Sequence, residues 1–235
     1  MKQPPLPLSY RKATGIENFA VSPSNELAVA YLDNWPDWPS HALLIVGPEK
    51  SGKSHLGAIF AGRTGGRVLG PGQLHSRLRL PTMVIDAVGE GVDEEGLFHL
   101  INWTREQQIG LVLLSRQPMR QWNLRLPDLI SRVQALPMAE IHQPDEPLMA
   151  ALLVKQFRDR GLDVPPDVID FLMPRLERHY GRIHAVVEAI DLTALEKRRP
   201  VTVPLVRQVL ADMAPGVSGP EAGPEAGPES GASGG

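Results

Sequence analysis

The chain has 235 residues, a net charge of −3 and 42% hydrophobic residues, enough apolar material for one large domain or two modest ones. It contains no cysteine, which excludes disulfides and thiolate metal sites, and no apolar run approaches the roughly 18 residues of a membrane helix. Glu221, Glu225 and Glu229 account for the whole charge excess, so residues 1–215 are balanced and lack the surplus of a long basic DNA-binding stripe.

Residues 1–14 are proline-rich and polar and are expected to have no fixed fold alone. The opening MKQPPLPLSY has no continuous apolar stretch of a secretion signal, so a soluble, cytoplasmic protein is the expectation. Ser22-Pro23-Ser24-Asn25-Glu26 predicts a helix start, with Ser22 as N-cap, Pro23 in the first turn and Glu26 facing the dipole. That helix runs through Leu27, Val29, Tyr31 and Leu32 and stops at Trp35-Pro36. Ala42–Val46 then reads as a buried strand and His55–Ala61 as a helix, with GPEKSGKS (Gly47–Ser54) between them.

This octapeptide fits the phosphate-binding pattern G-x-x-x-x-G-K-[ST] at every fixed position. Gly47 and Gly52 let the backbone curl until successive N–H groups point inward, around Pro48 and Ser51. The helix start, with His55 in its first turn, adds the positive end of its dipole. Lys53 is predicted to reach the β- and γ-phosphates and Ser54 to hold Mg²⁺, so the expected ligand is ADP or ATP with Mg²⁺.

Thr82–Asp86 is a second apolar stretch ending in a carboxylate, placed to hold Mg²⁺ through water. Ala87 follows where a hydrolytic site would carry a second acid, and Glu90 is three positions further on, so fast intrinsic ATP hydrolysis is not expected. Asp93-Glu94-Glu95 opens a helix with Leu97, Leu100, Ile101 and Trp103 at helical spacing, and Gly110–Ser115 is a third strand. Alternating apolar runs and helices predict an α/β fold, a parallel sheet covered on both faces. Ligands sit at the carboxyl ends of such strands, where Gly47, Asp86 and Ser115 converge, and Ser115 is a candidate for the γ-phosphate or the attacking water. Arg132, in Leu126–Val133, lies away from the loop in sequence: either a surface ion pair, or an arginine offered to a neighbour's γ-phosphate.

From Pro144 the pattern turns helical (144–160, 166–178, 182–198 and 203–213), predicting a small all-helical domain in which Arg182 opens a helix and can touch phosphates. The late cluster of Arg175, Arg178, Arg182, Lys197, Arg198, Arg199 and Arg207 reads as a solvated helix surface, and the seven histidines show no metal-ligand spacing. Residues 216–235 repeat Gly-Pro-Glu-Ala and offer nothing to bury. The expected division is 1–14, an α/β unit over 15–143, a helical lid over 144–214, and a tail over 215–235.

The ordered set Asn18–Asn25, GPEKSGKS, Val84-Ile85-Asp86, Leu114–Pro118 and Leu126–Arg132 resembles the AAA+ module of the bacterial initiator DnaA, and within it the shortened Hda branch, over about residues 3–213. The Leu-Pro-Asp-Leu-x-Ser-Arg block is the discriminating part. The resemblance implies that Asn18, Phe19 and Val21 lie against adenine, that Asp86 and Ser115 are the Walker B and sensor 1 residues, and that Arg132 is an arginine finger offered in trans to ATP on DnaA. It further implies weak or no intrinsic ATPase and a sliding-clamp-binding motif at Gln3, Leu6, Pro7 and Leu8, with Pro4 where leucine is usual. Helix-face counting puts Gly181 at the family's sensor 2 arginine, with Arg182 next, one residue being about 100° of rotation. DnaA's DNA-binding helix-turn-helix has no counterpart, so the implied partners are DnaA and the clamp, without sequence-specific DNA contact and with self-association open. An adaptor or helicase loader that leaves DnaA's nucleotide untouched and a self-sufficient P-loop ATPase are the rival readings.

Overall fold

The computed structural model describes residues 19–38, 40–75 and 78–213; the clamp-motif residues Gln3, Leu6, Pro7 and Leu8, the adenine candidate Asn18 and the Gly-Pro-Glu tail lie outside them. The elements run α1 (Glu26–Asp33), β1 (Ala42–Val46), α2 (Lys53–Thr64), β2 (Arg67–Leu69), β3 (Thr82–Val88), α3 (Glu94–Glu106), β4 (Gly110–Ser115), α4 (Pro127–Gln134) and β5 (Met138–Glu140), then α5 (Glu146–Asp159), α6 (Pro166–Leu172), α7 (Tyr180–Lys197) and α8 (Val203–Asp212). All strand pairs are parallel, in the order β2-β3-β4-β1-β5. Parallel neighbours need crossover connections, and here the helices supply them, which leaves both sheet faces buried.

Alternation along each strand sends side chains to opposite faces. Leu43, Ile45, Val84, Val112 and Leu114 meet Leu56 and Phe60 of α2 on one side. Leu44, Met83, Ile85, Leu111 and Leu113 meet Leu97, Leu100, Leu129 and Val133 of α3 and α4 on the other. A third cluster, including Leu153, Phe157, Leu172, Val187 and Val206, holds α5–α8 together. No helix of the described residues is long and apolar enough to cross a membrane.

Several boundaries differ from the sequence expectation. The first helix begins at Glu26, with Asn25 at its N-cap position. Ser22 instead bonds Ser24 through its hydroxyl, and its carbonyl accepts from the N–H groups of Asn25 and Glu26, so residues 22–25 form a turn ahead of the helix. The expected 166–178 helix ends at Leu172 and gives way to a 3₁₀ turn at Met173–Arg175, where Pro174 brings no N–H. The third helical stretch opens at Tyr180 rather than Arg182. By contrast α3 starts as expected, with Asp93 accepting from Gly96 N at 3.0 Å.

Candidate functional site

The phosphate loop turns directly out of the sheet. Gly47 N donates to the carbonyl of Ser115 at 3.1 Å, joining the loop's first residue to the end of β4. Gly52 sits at φ +88°, and a Cβ there would come within 3.0 Å of the Phe19 ring. At Gly47 a Cβ would lie 2.9 Å from that of Ile141. Both glycines are therefore required by close approach, and Gly52 also by its left-handed backbone. Ser51 is buried within the loop, and Pro48 contributes its carbonyl.

Lys53 opens α2 and folds back over the loop. Its Nζ donates to the carbonyls of Gly47 at 2.7 Å and Pro48 at 2.6 Å, and lies 3.3 Å from Ser51 Oγ. Burial, reinforced by the Arg116 guanidinium, lowers its pKa from 10.5 to about 8. An ammonium held on neutral carbonyls beside another cation is under-neutralised, and a phosphate is the group that completes it.

The loop shares a cleft of about 290 Å³ with Ser54, Asp86, Ser115 and Arg116. The sheet explains how Asp86 comes to face it. Ile85 pairs with Leu113 and Val88 with Ser115, so two residues of β3 stand opposite one of β4. This bulge re-aims the strand end, and Ala87 takes φ +62° within it. Asp86 Oδ1 accepts from Ala87 N at 2.9 Å, and the residue lines the cleft. Ser54 and Asp86, a hydroxyl and a carboxylate, are suited to a hard divalent cation that keeps most of its waters.

Ser115 is buried and its hydroxyl is committed. It donates to the carbonyl of Gln117 at 2.7 Å and accepts from Gln117 N at 3.2 Å and Trp122 Nε1 at 3.1 Å. A serine has one proton to give, so here it secures the turn after β4 rather than projecting a donor into the cleft. Trp122, fully buried beneath that turn, carried no sequence signal beyond its size.

A second hollow, of about 130 Å³, opens on the other side of the loop between Phe19, Ala20, Gly52 and His55 and the lid residues Leu148, Leu152 and Tyr180. Phe19 stacks on His55 with centroids 6.2 Å apart. Apolar walls of this kind suit a planar base. Ala20 lines the hollow and Val21 does not, and both pack against the core. Tyr180 donates to the carbonyl of His142 at 3.1 Å, and burial raises its phenol pKa.

Arg182 lines neither hollow. One helical turn beyond Tyr180, His184 meets the loop instead, its Nδ1 3.2 Å from Lys50 Nζ. Burial, then Lys50 and Arg160, lower the His184 pKa below 6.5, so the ring accepts from the ammonium. Arg132 also lies outside both clefts, in the last turn of α4, which Leu129 and Val133 anchor in the core. It is half-buried and makes no side-chain hydrogen bond or ion pair among the described residues. Glu94 fixes the start of that helix, accepting from Arg125 N at 3.0 and 2.9 Å and from Leu126 N at 2.7 Å.

Residues 145–210 match the sequence model of a family described as the lid domain of Hda. The fold is similar to domain III of the Thermotoga maritima replication initiation protein DnaA, at 19% identity and TM-score 0.69, over 83% of this chain and 95% of that one. It is also similar to AMPPCP-bound DnaA from Aquifex aeolicus (19% identity, TM-score 0.61, 79% of this chain and 67% of that one). A replication initiator DnaA bound to AMPPCP and single-stranded DNA aligns at 20% identity and TM-score 0.60, over 78% and 67% of the two chains. The chain is thus similar to an Hda lid over residues 145–210 and shares its fold with domain III of DnaA.

Proposed function

We propose that the protein regulates replication initiation by binding a nucleotide in its own cleft and lending Arg132 to ATP held by DnaA. ADP or ATP binds with its phosphates on residues 47–54 and its base beside Phe19, and Mg²⁺ is held by Ser54 and Asp86. The nucleotide supplies a charged scaffold that fixes the loop and lid. Gln3, Leu6, Pro7 and Leu8 tether the protein to the sliding clamp, bringing it to loaded DNA. Ala87 provides no base after Asp86, which fits a subunit that serves hydrolysis elsewhere.

The observation that carries this reading is the state of Arg132: a guanidinium on a well-anchored helix, outside its own cleft and unpaired among the described residues. An arginine in trans stabilises the charge of a transferring phosphoryl group and raises hydrolysis by on the order of 10³–10⁵. The test mixes the protein with ATP-loaded DnaA and clamp-loaded DNA and measures ADP formed as each component is omitted. Arg132→Ala is expected to retain nucleotide and clamp binding while losing the stimulation; full stimulation by that variant overturns the role. Deleting residues 1–8 is expected to abolish retention on immobilised clamp, and unchanged retention overturns the tether.

A further inference from the structure

Arg116 stands where the cleft lacks a donor. β4 ends at Ser115, the position from which a side chain would reach a terminal phosphate, yet that hydroxyl's proton belongs to the Gln117 carbonyl. Trp122 Nε1 donates to both that hydroxyl and the Gln117 carbonyl, at 3.1 and 2.9 Å, which ties the turn together further. The next residue along is a guanidinium that lines the same cleft as Lys53, Ser54 and Asp86.

Its present partner is informative. Arg116 Nη1 is 3.3 Å from Glu49 Oε2, a carboxylate of the phosphate loop itself, and both side chains remain largely in water, at 64% and 59% exposure. An ion pair so exposed contributes little to stability, about 0–1 kcal/mol, and exchanges readily. Glu49 thus holds the guanidinium over the cleft mouth without committing it. Arg116 and Lys53 line the same cleft and repel one another, a repulsion that Asp86 and Glu49 oppose and that a bound anion would relieve further. A terminal phosphate brings more charge than the single carboxylate of Glu49 and matches the fork of the guanidinium.

We propose that Arg116 is a ligand in cis for the terminal phosphate of a bound nucleoside triphosphate, and that Glu49 competes for it when that phosphate is missing. The inference rests on the nucleotide-binding reading of the cleft and extends it: the pair Glu49–Arg116 gives the protein a means of telling ATP from ADP. The contact is electrostatic and involves no covalent step, so it needs neither a catalytic base nor turnover.

The experiment is calorimetric titration of the full chain with ADP and with AMPPCP, each with Mg²⁺, for wild type, Arg116→Gln and Glu49→Gln. Loss of one charge-assisted contact predicts that Arg116→Gln weakens AMPPCP binding by roughly tenfold or more, with ADP changed less than about twofold. Glu49→Gln, which frees the guanidinium, is expected to shift the preference toward AMPPCP. Equal weakening of both nucleotides, or no change in either, overturns the inference while leaving nucleotide binding intact. Failure of the wild-type protein to bind either nucleotide overturns the cleft reading itself and the inference with it. Both side chains are exposed, so neither variant removes a packing contact from the core.

Discussion

Lys53 carries the most displaced charge of the cleft, and its displacement has two consequences of opposite sign. Phosphate needs the ammonium, and the free protein's Lys53 titrates at about 8. Nucleotide affinity should therefore be flat below pH 7.5 and fall by up to about tenfold per unit above pH 8, until the raised pKa of the bound state is reached. Titrations in buffers of different ionisation enthalpy at pH 8.5 should reveal proton uptake; none would mean that Lys53 is already fully charged in the free cleft. The fold responds the other way. Between about 8 and 10.5 the unfolded chain holds the proton more tightly than the folded one, so this residue's contribution to stability increases with pH through that window. Replacing Lys53 with Gln should remove both slopes together.

At the scale of elements, the loop and its flanks were legible because everything that makes them is local. Ala42–Val46, the glycines and the helix start are contiguous, and the structure keeps them in that order. Asp93-Glu94-Glu95 was readable as a helix start for the same reason. β2 and β5 were not: each has three residues, and in β5 Ala139 alone is buried, so no periodicity can emerge before register against β3 or β1 supplies it. The committed hydroxyl of Ser115 was equally hidden, since it depends on Trp122 returning beneath the turn. His184 was hidden because its role comes from a long-range contact. Its partner Lys50 lies 134 residues away, so no local pattern can pair the two.

Two element-level outcomes follow. Glu94→Ala leaves Arg125 N and Leu126 N without their acceptor, and should lower stability by about 1–2 kcal/mol in urea melts. If α4 orients Arg132, the same variant should also lower maximal stimulation of DnaA hydrolysis more than its half-saturating concentration, and Glu94→Gln should recover part of it. In the lid, Leu153 is completely buried, and Leu153→Ala should cost about 2–4 kcal/mol. A loss below 0.5 kcal/mol would mean that the third cluster collapses around the gap.

For the whole molecule the question is how the lid and the sheet domain stay in register. Tyr180 spans from α7 to the carbonyl of His142, and His184 takes a hydrogen bond from Lys50 across the loop. The imidazole is neutral at pH 7 because its folded pKa is held below 6.5. The unfolded chain takes up the proton first on acidification, so this residue's contribution is complete above pH 6.5 and is lost as pH falls below it. His184→Ala should show a shallower decline of melting temperature between pH 6.5 and 5 than wild type; identical declines would remove the lid–loop contact as a source of acid sensitivity.

The hollow beside Phe19 has one wall from each half of the chain, Gly52 and His55 facing Leu148, Leu152 and Tyr180. Anything wedged there is a keystone, since it cannot leave the arch standing once withdrawn. Heating the protein in graded ADP should then merge separate melting of the two halves into one transition. That transition should climb with the logarithm of ligand concentration, gaining about 2.7 kcal/mol at a hundredfold excess over Kd.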